Sequence, residues 1–354
     1  LYIIAEAGVN HNGSLEMARQ LVGLAAACGA DAVKFQTFCA DSIVTRSAPK
    51  AAYQSLADET AETQFVMLQR LELSESDHQA LIRDCRAAGI EFLSTPFDLP
   101  SLDLLVRRLD IARIKLSSGD ITNAPLLLQA ALAGKSVILS TGMSTLGEVE
   151  DALGVLALGY TQAAAAPDRD AFRRAYRSTA GQAALQNHVT LLHCTSEYPA
   201  PFEEVNLRAM DTLREAFGLP VGFSDHTPGI NVAIAAAARG AAVIEKHFTL
   251  DKSLPGPDHK ASLDPGELKA LVQGLRQVGL ALGNGRKMPT PAEERNMAVV
   301  RKSVVAARPV VAGELFTPES LTCKRPGNGV SPMDYWKWLG SRAARDYDRD
   351  ESVE

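Results

Sequence analysis

A regular alternation constrains this chain more than any other feature. Short, apolar, β-prone runs recur at 2–6, 31–38, 90–97, 112–120, 136–143, 189–196, 219–225 and 241–248. Each is followed by a stretch with apolar residues at helical spacing, the pattern of strand–helix units with parallel strands. The first helix follows Ser14, carries Leu15, Ala18, Val22 and Ala25, and stops at Gly29. Further helices are expected from Ser74 to Gly89, over 100–109 and 125–133, from Thr145 to Gly159, over 203–217 and 230–239, and after Asp264. Thr145 with Glu148 has the capping-box pattern, and Asp264-Pro265 with Glu267 is a helix opening. Eight such units in roughly 280 residues match a closed (β/α)8 TIM barrel in number and size. The alternative, a doubly wound open sheet, collects its ligand loops at one switch point. Here polar residues sit at the C-terminal end of nearly every strand.

The connection 39–73 is long and polar, containing APKAAYQ and a short helix near ETQFVMLQRL. Residues 160–188 are Ala/Arg-rich and strand-poor and read as an insertion. After Gly285 the period breaks. This divides the chain into a catalytic barrel (1–285), a polar linker (286–297) and a small C-terminal domain (298–354) too short to bury much by itself. The formal net charge of −6 argues against a nucleic-acid partner while leaving room for a local basic pocket. Five scattered cysteines without a CxxC suit reduced thiols in a cytoplasmic protein. No apolar run reaches membrane-spanning length, so no membrane partner is expected. The opening LYIIAEAG lacks a basic n-region and reads as a first strand, not a signal peptide.

The polar residues at the strand ends carry the chemistry. Lys34 and Lys115 lie inside apolar strands, where alternate residues enter a barrel lumen. An unpaired buried ammonium is costly, so each should face an anion or a carboxylate such as Glu6 or Asp120. Hydroxyls recur at the same level: Ser94, Thr95, Ser117, Ser118, Ser140, Thr141, Thr195, Ser196 and Ser224. With the amides flanking Gly119 and Gly142 they suit a phosphate or carboxylate. Taken singly, each is equally well read as turn chemistry. His226 and His247 end consecutive strands, with Ser224, Asp225, Thr227, Glu245 and Asp258 nearby. Two imidazoles without a cysteine cluster do not make a structural zinc site. Oxygen-rich surroundings fit Mn²⁺ or Mg²⁺ with open positions, suited to polarising a carbonyl. His193 reads as core, His78 and His188 as surface residues. Glu6 is a candidate proton acceptor or hydroxyl acceptor, and Asp258 could act likewise from a loop. Arg325, in KRPGNG, is a solvated turn residue unless its domain docks over a barrel mouth.

The segments EAGVNHNG, VKFQTF, FLSTPFD, IKLSSGD, ILSTGM, LLHCTSEYP, GFSDHT, EKHFTLDKSLPGPDHKAS and KRPGNG together resemble the sialic acid synthase family, in the family's order, over nearly the whole chain except 160–188. The resemblance implies a (β/α)8 barrel followed by an antifreeze-like (SAF) domain, in a domain-swapped homodimer. It implies Mn²⁺-dependent condensation of phosphoenolpyruvate with an N-acetylated amino sugar, most simply N-acetylmannosamine to give N-acetylneuraminate. It makes His226 and His247 the metal ligands. Lys34, Thr95, Lys115, Ser118, Ser140 and Ser224 fall around phosphoenolpyruvate. Glu6, Gln36, Asp120, Tyr198 and Asp258 fall around the sugar, with Arg325 reaching the partner's site. Asp120 stands where Glu is usual, and Ser196 where Asn or Thr is common. The alternative within the family is a legionaminate synthase using 2,4-diacetamido-2,4,6-trideoxymannose, since HCTSEYPAPFEEVNL and PGPDHKASLDP are at least as similar to that branch. Two further alternatives are a Schiff-base aldolase using Lys115 or Lys34, and a non-catalytic sugar- or ice-binding protein.

Overall fold

Alternate residues of a strand point to opposite faces, and here the two faces differ in kind. The computed structural model describes residues 1–49, 63–161 and 166–354. Its strands are β1 (Tyr2–Gly8), β2 (Ala32–Thr37), β3 (Glu91–Pro96), β4 (Arg113–Leu116), β5 (Ser136–Ser140), β6 (Val189–Cys194), β7 (Val221–Asp225) and β8 (Val243–His247). All are parallel, paired in the order β3-β2-β1-β8-β7-β6-β5-β4, with the end strands β3 and β4 in contact. This is the expected barrel. The outward residues Ile3, Ala5, Val33, Phe35, Ile114, Leu116, Leu139 and Phe223 join one apolar core with the surrounding helices. The inward residues stack in layers, as in barrels of this kind. The lowest is apolar: Ile4, Ala32, Leu93, Ile138, Leu192 and Val243. Gly222 completes it, because a β-carbon there would lie 2.4 Å from the Val243 carbonyl oxygen and 2.6 Å from Leu192. The layer above is polar and forms the floor of the site.

The helices are α1 (Leu15–Cys28), α2 (Ala40–Ile43), α3 (Gln64–Leu71), α4 (Glu75–Ala88), α5 (Leu99–Asp103), α6 (Ala124–Leu132) and α7 (Leu146–Thr161). They continue with α8 (Arg169–Arg177), α9 (Thr179–His188), α10 (Ala209–Phe217), α11 (Asn231–Ala238) and α12 (Pro265–Ala281). Ser14 caps α1, and Gly29 ends it in the left-handed region at φ 83. The boxes Thr145–Glu148 and Asp264–Glu267 form as their spacing implies.

Two expectations, for Gly159 and His78, are corrected, and two others, for 160–188 and His188, gain detail. Gly159 does not stop α7. It lies inside the helix, where a β-carbon would sit 2.5 Å from that of Ala131, so it permits close approach to α6. The 160–188 segment holds two helices, α8 and α9, packed on α7; residues 162–165 lie outside the described residues, as does APKAAYQ from 50 onward. His78 is fully buried: its Nδ1 bonds the Ser74 carbonyl, and its Nε2 lies 2.7 Å from Thr37. His188 stacks on Tyr160 with ring centroids 4.6 Å apart.

The second compact unit is Gly283–Glu354. Its linker-like start contains a helix, α13 (Pro291–Val300), capped by a Thr290–Glu293 box and burying none of its residues. The strands β9 (Ser303–Ala306) and β10 (Leu321–Lys324) pair antiparallel, ahead of the short helix α14 (Tyr335–Trp338). Val304, Val310, Phe316, Leu321, Tyr347 and Val353 give this unit a small core of its own.

Candidate active site

Strand parity selects which side chains meet. One residue before the rim, β1, β2, β3, β4, β5, β7 and β8 point Glu6, Lys34, Thr95, Lys115, Ser140, Ser224 and Glu245 inward, all buried. The Lys34 ammonium lies 2.8 Å from Glu6 Oε2 and donates to Thr95 Oγ1 at 3.1 Å. Lys115 donates to Ser140 Oγ at 2.7 Å. Glu245 bridges the two lysines at 3.8 Å from each and accepts from Ser224 Oγ at 3.0 Å. Two ammonium groups thus face two carboxylates, which offsets much of their burial cost. The carboxylates hold the ammonium groups where an incoming anion could compete for them.

The charges respond to this setting. Burial, assisted by the negative charge of Glu245, pushes the Glu6 carboxyl up to about 7 despite Lys34. Burial and the neighbouring Lys34 lower the Lys115 ammonium. Burial opposes charge on Lys34 as well, but Glu245 and Glu6 outweigh it and raise that group.

His226 and His247 form the next inward layer, with ring centroids 5.8 Å apart. His226 Nδ1 donates to the Thr195 carbonyl at 2.6 Å, which puts the lone pair of the neutral ring on Nε2, 3.3 Å from Ser224 Oγ. Burial holds His226 neutral, down to about 4, and holds His247 well below its ordinary value. Among the described residues, buried Nδ1 of His247 has no hydrogen-bond partner and lies 3.8 Å from Asp258 Oδ2. Burial raises Asp258 to about 6. Tyr198 covers both imidazoles, its ring centroid 4.1 Å from that of His226 and 5.6 Å from that of His247. Gly8 is required beside them, since a β-carbon there would meet both His247 and Asp258 at 3.3 Å. Among the described residues no group of three or more His, Cys, Asp or Glu side chains is arranged to hold a metal ion. Two neutral, pre-oriented imidazoles still fit a divalent cation whose remaining positions are filled by oxygen ligands of solvent or substrate.

A cavity of about 650 Å³ opens over these layers. It is lined by Glu6, Lys34, Gln36, Thr95, Lys115, Ser118, Asp120, Ser140, Ser196, Tyr198, Ser224, His226 and His247, so the structure gathers most of the residues singled out from sequence. Asp258 adjoins it through His247. Arg325 lies exposed in the second unit, just past β10. Asp120 is held in its own turn, accepting from Ser117 Oγ at 2.6 Å and Asn123 Nδ2 at 3.2 Å; it is not the partner of Lys115. Gly142 leaves no room for a side chain, as a β-carbon would fall 2.4 Å from Ser196 Oγ and 2.8 Å from Ser118 Oγ.

Several residues of the sequence reading lie elsewhere. Ser94 faces outward and bonds Thr37, and Thr141 bonds the Leu192 carbonyl. Thr195 bonds the Glu204 carbonyl. Asp225 and Thr227 turn away from the lumen. Glu245 is more central than the sequence reading made it, and its position two residues before His247 was the available signal. An apolar arc of the cavity also went unread: Phe38, Ile43, Val44, Leu68 and Phe97.

Known proteins bear on this geometry. The NeuB family model matches residues 21–287, and the SAF domain model matches residues 301–353. An N,N'-diacetyllegionaminic acid synthase of Campylobacter jejuni is 48% identical over 351 residues, covering 99% of this chain and 98% of the relative. One of Legionella pneumophila is 47% identical over 341 residues, covering 96% and 90%. A solved N-acetylneuraminic acid (sialic acid) synthetase of Leptospira borgpetersenii, in complex with citrate, superposes with a TM-score of 0.66 at 31% identity, covering 84% of this chain and 90% of the other. No helix among the described residues is long and apolar enough to cross a membrane. With sequence similarity running through both units, this chain belongs to the NeuB family and ends in a SAF domain.

Proposed function

We propose that this chain condenses phosphoenolpyruvate with 2,4-diacetamido-2,4,6-trideoxymannose to give N,N'-diacetyllegionaminate and phosphate. The observation that carries the reaction class is the buried layer of Lys34 and Lys115, with Thr95, Ser140 and Ser224, directly beneath two neutral imidazoles. Such a seat suits a small anion when Glu6, raised to about 7, is protonated: two ammonium groups then face the single charge of Glu245, and the net positive charge acts in a low-dielectric cavity. For the sugar, two relatives near half identity are legionaminic acid synthases. This favours the diacetamido sugar over the N-acetylmannosamine of the simplest sequence reading. The apolar arc of Phe38, Ile43, Val44, Leu68 and Phe97 supports the same choice. A 6-deoxy sugar with two acetamido methyls presents more apolar surface than N-acetylmannosamine.

In this reading phosphoenolpyruvate takes the lysine layer and the sugar the space above it, so that the reacting carbons face each other. Carbon 3 of the enol ester attacks the open-chain aldehyde carbon, water adds at carbon 2, and phosphate departs with cleavage of the C–O bond. Glu6, raised to about 7, would exchange the proton of that water. Lys34 and Lys115 hold the phosphate and carboxylate as charge builds on the leaving group. His226 and His247 would hold Mn²⁺ or Mg²⁺, which when bound supplies Lewis-acid polarisation of the aldehyde.

The test is phosphate release with each sugar at saturating phosphoenolpyruvate. The expected result is a kcat/KM for the diacetamido sugar at least about tenfold above that for N-acetylmannosamine, the size of a few pocket contacts. Equal or reversed preference overturns the sugar assignment, and no phosphate release with either sugar overturns the reaction.

A further inference from the structure

The outward faces of the barrel strands are apolar nearly throughout, with one ionic exception. Asp225 and Lys246 are both buried on the side away from the lumen, and Lys246 Nζ lies 2.8 Å from Asp225 Oδ2. Among the described residues no other buried ion pair joins the outward faces of β1 to β8. Buried pairs are weak sources of stability, and well-packed apolar residues often do as well. This pair therefore calls for a second reason, and its register supplies one.

Asp225 and Lys246 are directly opposite each other, following the pairs Phe223–Ile244 and Ser224–Glu245, and they are the last rung of the β7–β8 ladder. One residue further on each strand are His226 and His247. β7 ends at that rung, and among the described residues no further backbone pairing between the two strands fixes the height of one imidazole against the other. The side chains take over this task. Asp225 Oδ1 accepts from the Thr227 backbone amide at 2.9 Å and from Thr227 Oγ1 at 2.8 Å. Lys246 Nζ also donates to the Thr227 carbonyl. The backbone on both sides of His226 is thereby tied to the residue preceding His247.

We infer that the Asp225–Lys246 pair, with Thr227, is a positioning clamp that sets the spacing of the two imidazoles and hence the affinity of their site for a divalent cation. This rests on the assignment of His226 and His247 as a metal pair. Asp225 and Lys246 touch no substrate and are not catalytic residues.

The experiment titrates Mn²⁺ into the full-length protein by calorimetry and by the loss of free-Mn²⁺ electron paramagnetic resonance signal. It uses wild type, Lys246→Met, the double variant Asp225→Leu with Lys246→Met, and Thr227→Val, with melting temperatures measured in parallel. Lys246→Met strands a buried carboxylate and should melt lower. The double variant removes both charges and should recover much of that loss. A clamp predicts that the double variant still binds Mn²⁺ at least about tenfold more weakly, because stability returns and alignment does not. Thr227→Val, a milder change that keeps the ion pair, should weaken binding by a few-fold. Mn²⁺ affinity equal to wild type in Thr227→Val and in a folded double variant overturns the clamp. If the double variant does not fold, Thr227→Val decides alone. Wild type that binds no Mn²⁺ overturns the metal pair itself and the clamp with it, so the two failures are distinguishable.

Discussion

Replacing Glu6 by Gln tests the buried charge layer without adding bulk. In the folded protein burial lifts this carboxyl from its ordinary 4.5 to about 7. Between those values the folded state binds a proton that the unfolded state has released, so stability falls as pH rises. The contribution is fully present below about 4.5, declines through the window, and is gone above about 7. At about 1.4 kcal/mol per pH unit, a shift of that size amounts to roughly 3 kcal/mol. The amide of the Glu6→Gln variant cannot titrate. The difference in unfolding free energy, variant minus wild type, should therefore rise by roughly 3 kcal/mol from pH 4.5 to pH 8. The ion pair to Lys34 at 2.8 Å forms only with the ionised carboxyl, so it is already contained in the value of about 7 and adds no separate slope. Because Glu6 and Glu245 both face Lys34, the proton count belongs to the cluster, and the measurement reports the cluster. Urea unfolding at half-unit pH steps provides the curve. Parallel profiles for the two proteins across the window would refute the claim that Glu6 carries a raised pKa.

Two further outcomes follow from single contacts. His247→Ala should lower phosphate release by at least about 100-fold, the upper end of what even outer partners of a metal site cost. Its melting temperature should stay near that of wild type, and activity surviving at wild-type level in the presence of a chelator would remove the metal role. Gly159→Ala should lower stability by about 1–3 kcal/mol through overpacking, because the added methyl meets Ala131 at 2.5 Å. A melting temperature equal to or above wild type would show that α6 and α7 separate without strain.

The barrel was legible because it is written in local patterns. Eight runs alternate with capped helices, and Ser14, Gly29, Thr145 and Asp264 act where their chemistry puts them. Gly159 was misread because a glycine that ends a helix and one that admits a neighbouring helix look alike in sequence. The same holds for the polar stretch before Val300, where the Thr290–Glu293 box was present but no apolar stripe announced α13. Within the site, strand parity divided success from failure. Lys34, Lys115, Ser140 and Ser224 face the lumen, whereas Ser94 and Asp225, one step out of phase, face the helices. Asp120 was read as a lysine partner, but its reach is used up by Ser117 and Asn123 in its own turn. The apolar arc joins Phe38, Ile43, Val44 and Leu68, spread along the long connection after β2, to Phe97 after β3, and no regular spacing announces it.

The strip of paired strands is open between β3 and β4, and this changes how the two lysines are related. Lys34 on β2 and Lys115 on β4 belong to opposite ends of the strip, with no continuous backbone bonding across the shorter way round. Glu245, projecting from the middle of the strip, stands 3.8 Å from each ammonium. It acts as a caliper: it is the one carboxylate among the described residues that reaches both ammonium groups, while Glu6 and Thr95 hold Lys34 and Ser140 holds Lys115 more closely. Shortening it by a single methylene, as in Glu245→Asp, would draw the carboxylate back from both ammonium groups while leaving every strand in place.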